Sequence, residues 1–451
     1  MQKLKLPEAF LQDMEKLLGN EYPSFLASME ARPLSGLRVN TLKAEPDYIG
    51  NYFGGLKPVP WTENGFYLPE ESRCTKHPYY FAGLYYIQEP SAMSSAALLG
   101  TKPGERVLDL CAAPGGKTTE IGACLRGEGV LYANDLSSSR AKALLKNIEL
   151  NGIRNAYICC EESSVLKREF PLYFDRILVD APCSGEGMFR KHPAVIRAYE
   201  EHGRDFYCPV QEMLLRDAAE MLRPGGTLLY STCTYNPRED EEQISRFLKE
   251  HPDFSLDQLP RKEGFVSSAL LPGTVRLFPH KAEAEGHFVA RMKKNGGAEG
   301  QLPDAREPGK RIPSGVLKDM ELFFENVSWK PAAQDLLVQG EYISLLPAAG
   351  GYRRGLRYLR TGLLLGQVKN GRFRPSQALA MALKKAEWAD PADFPAEDPD
   401  VIRYLKGETV PAREGSGKGW RLFCADGFPL GFVKQDGSRL KNMYLPGWRM
   451  Q

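Results

Sequence analysis

No stretch of this chain stays apolar for the roughly 18 residues that a membrane-spanning helix needs. Its first residues, Met1-Gln-Lys-Leu-Lys-Leu-Pro7, lack the apolar centre of a secretory leader. No membrane partner is therefore expected. Cys-x-x-Cys pairs are absent too. The nine cysteines stand at 74, 111, 124, 159, 160, 183, 208, 233 and 424. Zinc-ribbon and thioredoxin chemistry are thereby disfavoured, and no metal is expected. An odd number at irregular spacing predicts free thiols in a reducing cytoplasm. An excess of one charge is also missing. Fifty-nine Lys and Arg against 57 Asp and Glu leave a net charge of +2. No global basic field announces nucleic acid, so any RNA surface has to be local.

Two nucleotide fingerprints are absent as well. The dinucleotide pattern Gly-x-Gly-x-x-Gly does not occur. Gly116-Lys117-Thr118 matches the end of a phosphate-binding loop, but the first glycine of that loop would fall at Cys111. An ATPase reading is weakened accordingly.

What is present centres on Asp109-Leu-Cys-Ala-Ala-Pro-Gly-Gly-Lys117. Arg106–Leu110 reads as a buried parallel strand and Thr118–Leu125 as the helix that follows it. Strand, Pro/Gly turn and helix make the first crossover of a doubly wound α/β sheet. Gly115 and Gly116, lacking side chains, are read as leaving the backbone open to a ligand. The next strand, Gly129–Asp135, ends in an acid that can accept hydrogen bonds from a ribose diol. An adenosine site without a pyrophosphate cradle fits S-adenosyl-L-methionine.

Strand and helix signals then alternate through about residue 294. Ser138–Asn151 reads as a helix with Ala141, Leu144, Leu145 and Ile148 on one face. Ala156–Cys159 is a third strand and Phe174–Asp180 a fourth. Pro209–Leu222 reads as a helix, Thr227–Thr232 as a fifth strand, and Val275–Phe278 with His287–Arg291 as an antiparallel closing pair. Before this core, residues 7–30 have helical spacing and Leu37–Asn40 reads as a strand. Tyr79–Ser91 is dense in aromatics and is either a packed strand or a pocket wall carrying Gln88 and Glu89. After the core, a chain rich in Gly, Pro and charge reads as a linker.

Two cysteines carry the chemical signal. Cys183 follows the fourth strand in Asp180-Ala-Pro-Cys-Ser-Gly-Glu-Gly187, and Cys233 follows the fifth in Ser231-Thr-Cys-Thr234. If those strands are neighbours, both thiols face the crevice that the glycine turn opens into. Cys159 and Cys160 are read as structural. A basic run, Gly350–Pro375, holds seven Lys and Arg, no acid, and Tyr352, Tyr358 and Phe373 interleaved. It reads as an RNA-contacting surface.

The motifs Cys111–Lys117, Asp180–Gly185 and Thr232-Cys-Thr234 with Pro237, Glu239, Glu241 and Glu242 resemble the RsmB/NOP (Nol/Nop/Sun) family of RNA cytosine-5 methyltransferases. Asp180–Lys191 and Gln88-Glu-Pro-Ser91 resemble its bacterial RsmF-like branch. The resemblance implies an α/β, Rossmann-like methyltransferase core with a mostly parallel seven-stranded sheet. It also implies a small α+β N-terminal domain and an extension ending in a PUA-like β barrel. The expected division is 1–91, 92–294, a linker at 295–311, 312–395 and 396–451. The resemblance assigns S-adenosylmethionine contacts to Cys111, Ala112, Ala113, Pro114, Gly115, Gly116, Lys117, Asp135 and Asp180. A further acid is expected after the third strand, where Glu161-Glu162-Ser163 stands, and Glu162 is chosen by its spacing.

Carbon 5 of cytosine is too weak a nucleophile to take a methyl group unaided. A thiolate adding to carbon 6 activates it, and cysteine is both a strong nucleophile and a good leaving group. Spacing does not choose between Cys183 and Cys233. The resemblance makes Cys233 the nucleophile and Cys183 the group that resolves the adduct, with Asp180 at the ring nitrogen and Lys117 close by. The expected partner is RNA, foremost 16S ribosomal RNA or the 30S subunit, with no DNA, and the expected state is a monomer in the cytoplasm. A tRNA substrate, or a non-catalytic RNA-binding assembly factor, are the alternatives.

Overall fold

The computed structural model describes residues 5–192, 194–203, 205–296, 312–413 and 417–451. The expected linker lies almost wholly outside these residues. At the centre is a ten-stranded sheet. Its main strands are β1 (Arg106–Asp109), β2 (Val130–Asn134), β3 (Ala156–Cys159), β4 (Phe174–Asp180), β5 (Leu222–Thr232), β6 (Val275–Leu277), β7 (His287–Lys294) and β8 (Tyr358–Thr361). They run in the order β6-β7-β5-β4-β1-β2-β3-β8. The ladders β4–β1, β1–β2, β2–β3 and β4–β5 are parallel. β7 joins β5, and β6 joins β7, antiparallel, as the sequence predicts for the closing pair. Strand order reverses between β1 and β4, which makes the carboxyl ends of those strands the ligand crevice.

Local sequence explains these elements. Every residue of β2 is buried, as the apolar runs of a parallel sheet covered on both faces require. The helix α1 (Gly116–Leu125) follows the glycine turn. The helix α2 (Ser138–Leu150) is capped by Ser137, whose hydroxyl accepts from the Arg140 N–H, and it buries Ala141, Leu144 and Ile148. Each such Leu or Ile, fully buried, contributes about 1.5–3 kcal/mol. β5 begins earlier than predicted. Pro224-Gly-Gly226, just beyond the expected helix Pro209–Leu222, lies within its irregular first half. Residues 7–30 form two helices, Glu8–Leu18 and Tyr22–Met29, instead of one run. Gly19 in the left-handed region (φ 51°) ends the first, and Pro23 sits at the start of the second.

Flanking units enclose the core. Ser35–Val39 is the middle strand of an antiparallel three-stranded sheet with Gly65–Leu68 and Tyr85–Gln88. Within the aromatic stretch, Tyr79 and Tyr85 are buried in an apolar cluster that also contains Tyr404, Phe423 and Trp448. That half of the stretch is packing. After the core come a four-stranded antiparallel sheet from Leu336 to Pro375 and a five-stranded sheet from Ala392 to Asn442.

One element of the extension joins the central sheet. β8 belongs to the basic run, yet it pairs antiparallel with β3 and extends the central sheet. No helix among the described residues is long and apolar enough to cross a membrane.

Candidate active site

The turn after β1 is held from three sides. The carboxylate of Asp135, 4% exposed, accepts the Ala113 N–H through Oδ2 (3.2 Å) and the Ser137 N–H through Oδ1 (3.0 Å). A carboxylate offers about four lone-pair sites, so acceptor capacity remains for a ligand diol. Arg140 and Asn147 of α2 donate to the carbonyls of Ala113 and Pro114 at 2.7 Å each. Arg38, from the N-terminal sheet and 3% exposed, donates to the Gly116 carbonyl (2.5 Å) and the Thr119 hydroxyl (2.7 Å). It also bonds Gln88 and lies 2.9 Å from Glu120. Gln88 thus braces the turn through Arg38 and abuts Gly116. Glu89 does not: it accepts from Ser91, Ala92 and Glu285 backbone N–H groups and organises the chain around itself.

The two glycines differ from expectation. Gly115 has φ 109°, which a side chain would strain. A Cβ there would meet Leu144 at 3.2 Å, and one at Gly116 would meet Gln88 at 3.1 Å. Both bare faces therefore abut protein. The glycines permit the turn and its packing, and they do not open the backbone to a ligand on those faces. Cys111 is half-buried, and burial together with the Asp109, Asp180 and Asp135 charges pushes its thiol up.

β4 and β5 are direct neighbours, with Asp180 opposite Ser231. The loops beyond them bring Cys183 Sγ within 3.5 Å of Cys233 Sγ. Beside the thiols, Lys117 Nζ donates to Asp180 Oδ2 (2.8 Å) and Ser231 Oγ donates to Oδ1 (2.8 Å). Burial opposes ionisation of Asp180, but the Lys117 charge, His287 and these hydrogen bonds hold its carboxyl below the usual range. Burial likewise opposes the Lys117 charge, and the Asp180 carboxylate more than offsets it, so the ammonium is held above its ordinary value. The Cys183 thiol is pushed well up, first by its hydrogen bond to Cys233, then by burial and the negative charge Cys233 would carry.

Four further residues build this site, and the sequence reading missed their roles. Glu239, fully buried, accepts from Ser184 N (3.0 Å), Gln211 Nε2 (2.8 Å) and Asn236 Nδ2 (3.2 Å). It ties the Cys183 loop to the Cys233 loop, helped by a 2.7 Å bond between the Ser184 and Thr234 hydroxyls. Asp109 Oδ2 accepts from Thr118, while its buried Oδ1 has no hydrogen-bond partner among the described residues. Burial pushes that carboxyl up to about 7. His287, behind the Lys117–Asp180 pair, is pushed down to about 3 by burial and by the Lys117 charge. Arg38 is the fourth. An arginine inside the strand Leu37–Asn40 and an acid inside the Pro237–Glu242 motif were the available signals.

Glu162 is exposed at the N-terminus of the helix α3 (Ser163–Glu169), whereas its neighbour Glu161 is buried. Cys159 is buried in the sheet, as expected. The basic run is not a free RNA surface. Arg353 is 7% exposed with its guanidinium over Phe170 and Tyr173. Arg357 pairs with Glu161, Arg360 with Glu149 and Arg372 with Asp319. Tyr358 packs on Tyr157, Phe373 is buried, and neither offers a face to a base. At Gly351 a Cβ would collide with the hydroxyls of Tyr132 and Tyr173, so glycine alone lets the run close onto the core. Lys369 and Arg374 are exposed. A cleft of about 1260 Å³ opens at the opposite ends of the strands, lined by Lys43, Trp61, Arg126 and Lys384 among others, and neither Cys183 nor Cys233 lines it.

The donor set suits S-adenosylmethionine. A buried acid stands at the end of β2 for a ribose, and the orphaned Asp109 oxygen can accept from an ammonium group.

Family models cover the chain in four segments. Residues 96–293 match 16S rRNA methyltransferase RsmB/F, 6–90 the N-terminal domain of 16S rRNA methyltransferase RsmF, 322–383 the RsmF first C-terminal domain, and 391–450 the RsmF PUA domain. Ribosomal RNA small subunit methyltransferase F of Erwinia tasmaniensis is 31% identical over 465 residues, covering 97% of this chain and 95% of that protein. Its namesake in Escherichia coli O127:H6 is 33% identical over 467 residues with the same coverage. A solved methyltransferase homologue from Pyrococcus horikoshii is 31% identical with a TM-score of 0.57, covering 65% of this chain and 96% of that one. The chain belongs to the RsmB/F family of methyltransferases and is an S-adenosylmethionine-dependent RNA cytosine-5 methyltransferase.

Proposed function

We propose that the chain methylates a cytosine of 16S ribosomal RNA through a covalent adduct between Cys233 and carbon 6 of the base. The observation that carries this reading is the 3.5 Å pair of thiols beside the Lys117–Asp180 ion pair. Cys111 through Lys117, Asp135, Asp180 and the Glu162 loop hold S-adenosylmethionine, which supplies an electrophilic methyl group on a sulfonium. The target base has to be unpaired or flipped to reach the thiols.

The chain's own residues then act in sequence. Cys233, as thiolate, adds to carbon 6, and the ring nitrogen takes a proton from the Lys117–Asp180 pair. Carbon 5, now enamine-like, accepts the methyl group. A base removes the carbon 5 proton, the ring nitrogen returns its proton to the Lys117–Asp180 pair, the double bond reforms and Cys233 leaves as thiolate. Cys183 suits the role of that base. The hydrogen bond and charge from Cys233 that keep its thiol protonated vanish once Cys233 is bonded to the ring. Cys183 then ionises more readily at that stage, against the burial and the Glu239 charge that still oppose it.

The RNA target rests on relatives, matched over 95% of their own length, that bear the small-subunit name. Free thiols throughout suit a monomer working in the reducing cytoplasm. The test is methyl transfer by the purified protein to 30S subunits, naked 16S RNA and total tRNA, read by bisulfite sequencing. A protected cytosine in 16S RNA is expected. Protection confined to tRNA overturns the substrate, and no protection in any RNA overturns the chemistry.

A further inference from the structure

Arg357, of the C-terminal extension, touches the loop beyond β3. Its carbonyl accepts the Cys160 N–H (3.0 Å), and its N–H donates to Glu161 Oε1 (2.5 Å). Its Nε and Nη2 donate to Glu161 Oε2 at 3.0 and 2.9 Å. The Glu161 side chain is 5% exposed, that of Arg357 66%. Burial works against the Glu161 charge, yet the Arg357 bonds hold its carboxyl below the ordinary range. On its other side the Glu161 backbone is fixed. Its N–H donates to Asn134 Oδ1 (2.9 Å) and its carbonyl accepts from Asn134 Nδ2 (3.0 Å). Asn134 ends β2 and directly precedes Asp135, whose own N–H donates to Cys159 (3.2 Å). An unbroken chain of bonds thus runs from the extension through the loop to the β2 end.

We propose that Arg357 is a positioning residue for S-adenosylmethionine: it fastens residues 160–163 across the end of β3, so that the C-terminal extension completes the adenosine side of the cofactor pocket. This rests on the reading that the adenosine lies at the ends of β2 and β3. The physical reason is the buried carboxylate. Without the guanidinium, Glu161 keeps only the Arg357 N–H as a charge-stabilising donor from the extension. A buried, poorly paired carboxylate is relieved by moving toward water, and that motion carries Glu162 and strains the bonds to Asn134. An arginine bound in this way acts on the cofactor, not on RNA.

The experiment uses the full chain with R357A, R357K and, as reference, D135A. Cofactor affinity is measured by calorimetry, and KM, kcat and RNA affinity are measured at several salt concentrations. For R357A, Kd and KM for S-adenosylmethionine should rise about tenfold, the loss of one charge-assisted bond. The kcat at saturating cofactor, the RNA affinity and its salt slope should not change. R357K, a charge without the fork, should lie between R357A and wild type. Should R357A fail to fold, E161Q keeps the shape and removes the charge, and it should weaken the cofactor in the same way. If D135A weakens the cofactor and R357A does not, the inference about Arg357 is overturned alone. If neither does, the adenosine placement is wrong and the inference goes with it. A shallower RNA salt slope for R357A with cofactor affinity intact would assign the arginine to RNA instead.

Discussion

Glu239 lets the geometry of the thiol pair be tested through stability. Its carboxylate satisfies three buried donors, Ser184 N, Gln211 Nε2 and Asn236 Nδ2. Its backbone carbonyl accepts from the Tyr230 hydroxyl (2.6 Å), a bond that no side-chain substitution removes. Glu239→Ala strands the three donors. Each stranded group costs about 1–3 kcal/mol, and partial relaxation brings the expected loss to about 3–5 kcal/mol. Glu239→Gln keeps one oxygen, enough for Ser184 and Gln211, but turns an NH2 toward the Asn236 amide. Asn236 can answer only by turning its oxygen away from the Arg238 N–H, which it accepts at 3.1 Å. The expected cost is about 1–2 kcal/mol. Burial already pushes the Glu239 carboxyl above its ordinary range, so losing the charge is the smaller part of the change. Urea titration of the three proteins should show falling midpoints with an unchanged slope. Covalent trapping of RNA in a Cys183→Ala background should fall in the same order, because the acid holds both cysteine loops. Glu239→Ala within about 0.5 kcal/mol of wild type, with normal turnover, would refute the network.

Cys233→Ala should abolish methyl transfer and leave calorimetric cofactor binding intact. Cys183→Ala should accumulate a protein–RNA species that survives denaturing electrophoresis, and the reverse pattern would exchange the two roles. Asp135→Ala should weaken S-adenosylmethionine about tenfold or more, the worth of a charge-assisted bond, without changing RNA affinity. His287 has a folded-state pKa pushed down to about 3. It binds fewer protons folded than unfolded, so its contribution is present above its ordinary pKa of about 6.5 and is lost as pH falls toward 3. His287→Gln should flatten the acid limb of stability against pH in that window, and parallel limbs would contradict the assignment. Lys369→Ala with Arg374→Ala, both on exposed positions of the basic run, should make the salt dependence of RNA binding shallower, by about 0.7 per lost contact on single-stranded RNA. An unchanged slope would remove this face from the RNA surface.

The core was legible because its signals are local. Arg106–Leu125 carries strand, turn and helix in one continuous stretch, and period and punctuation suffice to read it. Cys183 and Cys233 were legible because both follow apolar runs that end in small polar residues. What was not legible depended on partners far along the chain. Arg353, Arg357 and Arg360 look like a solvated basic face until Phe170, Glu161 and Glu149 arrive against them. Composition counts such charges without pairing them. Arg38 and Glu239 were missed for the same reason, since a buried ion or acceptor network is defined by which distant backbone groups converge on it. Gly115 and Gly116 were assigned to a ligand when they serve α2 and Gln88, because a missing side chain reveals room without revealing what fills it.

β8 also bears on how the chain is made. β3 is the last parallel strand of the core, and its outer edge is covered by residues 358–361, about 200 positions later. During synthesis, the methyltransferase core emerges long before that cover exists. Until then, β3 presents a row of unpaired backbone groups, the kind of template that captures other chains. A fragment ending at residue 296 would keep every residue of the thiol site and still carry that raw edge. Such a fragment should self-associate on expression, where the full-length chain should not.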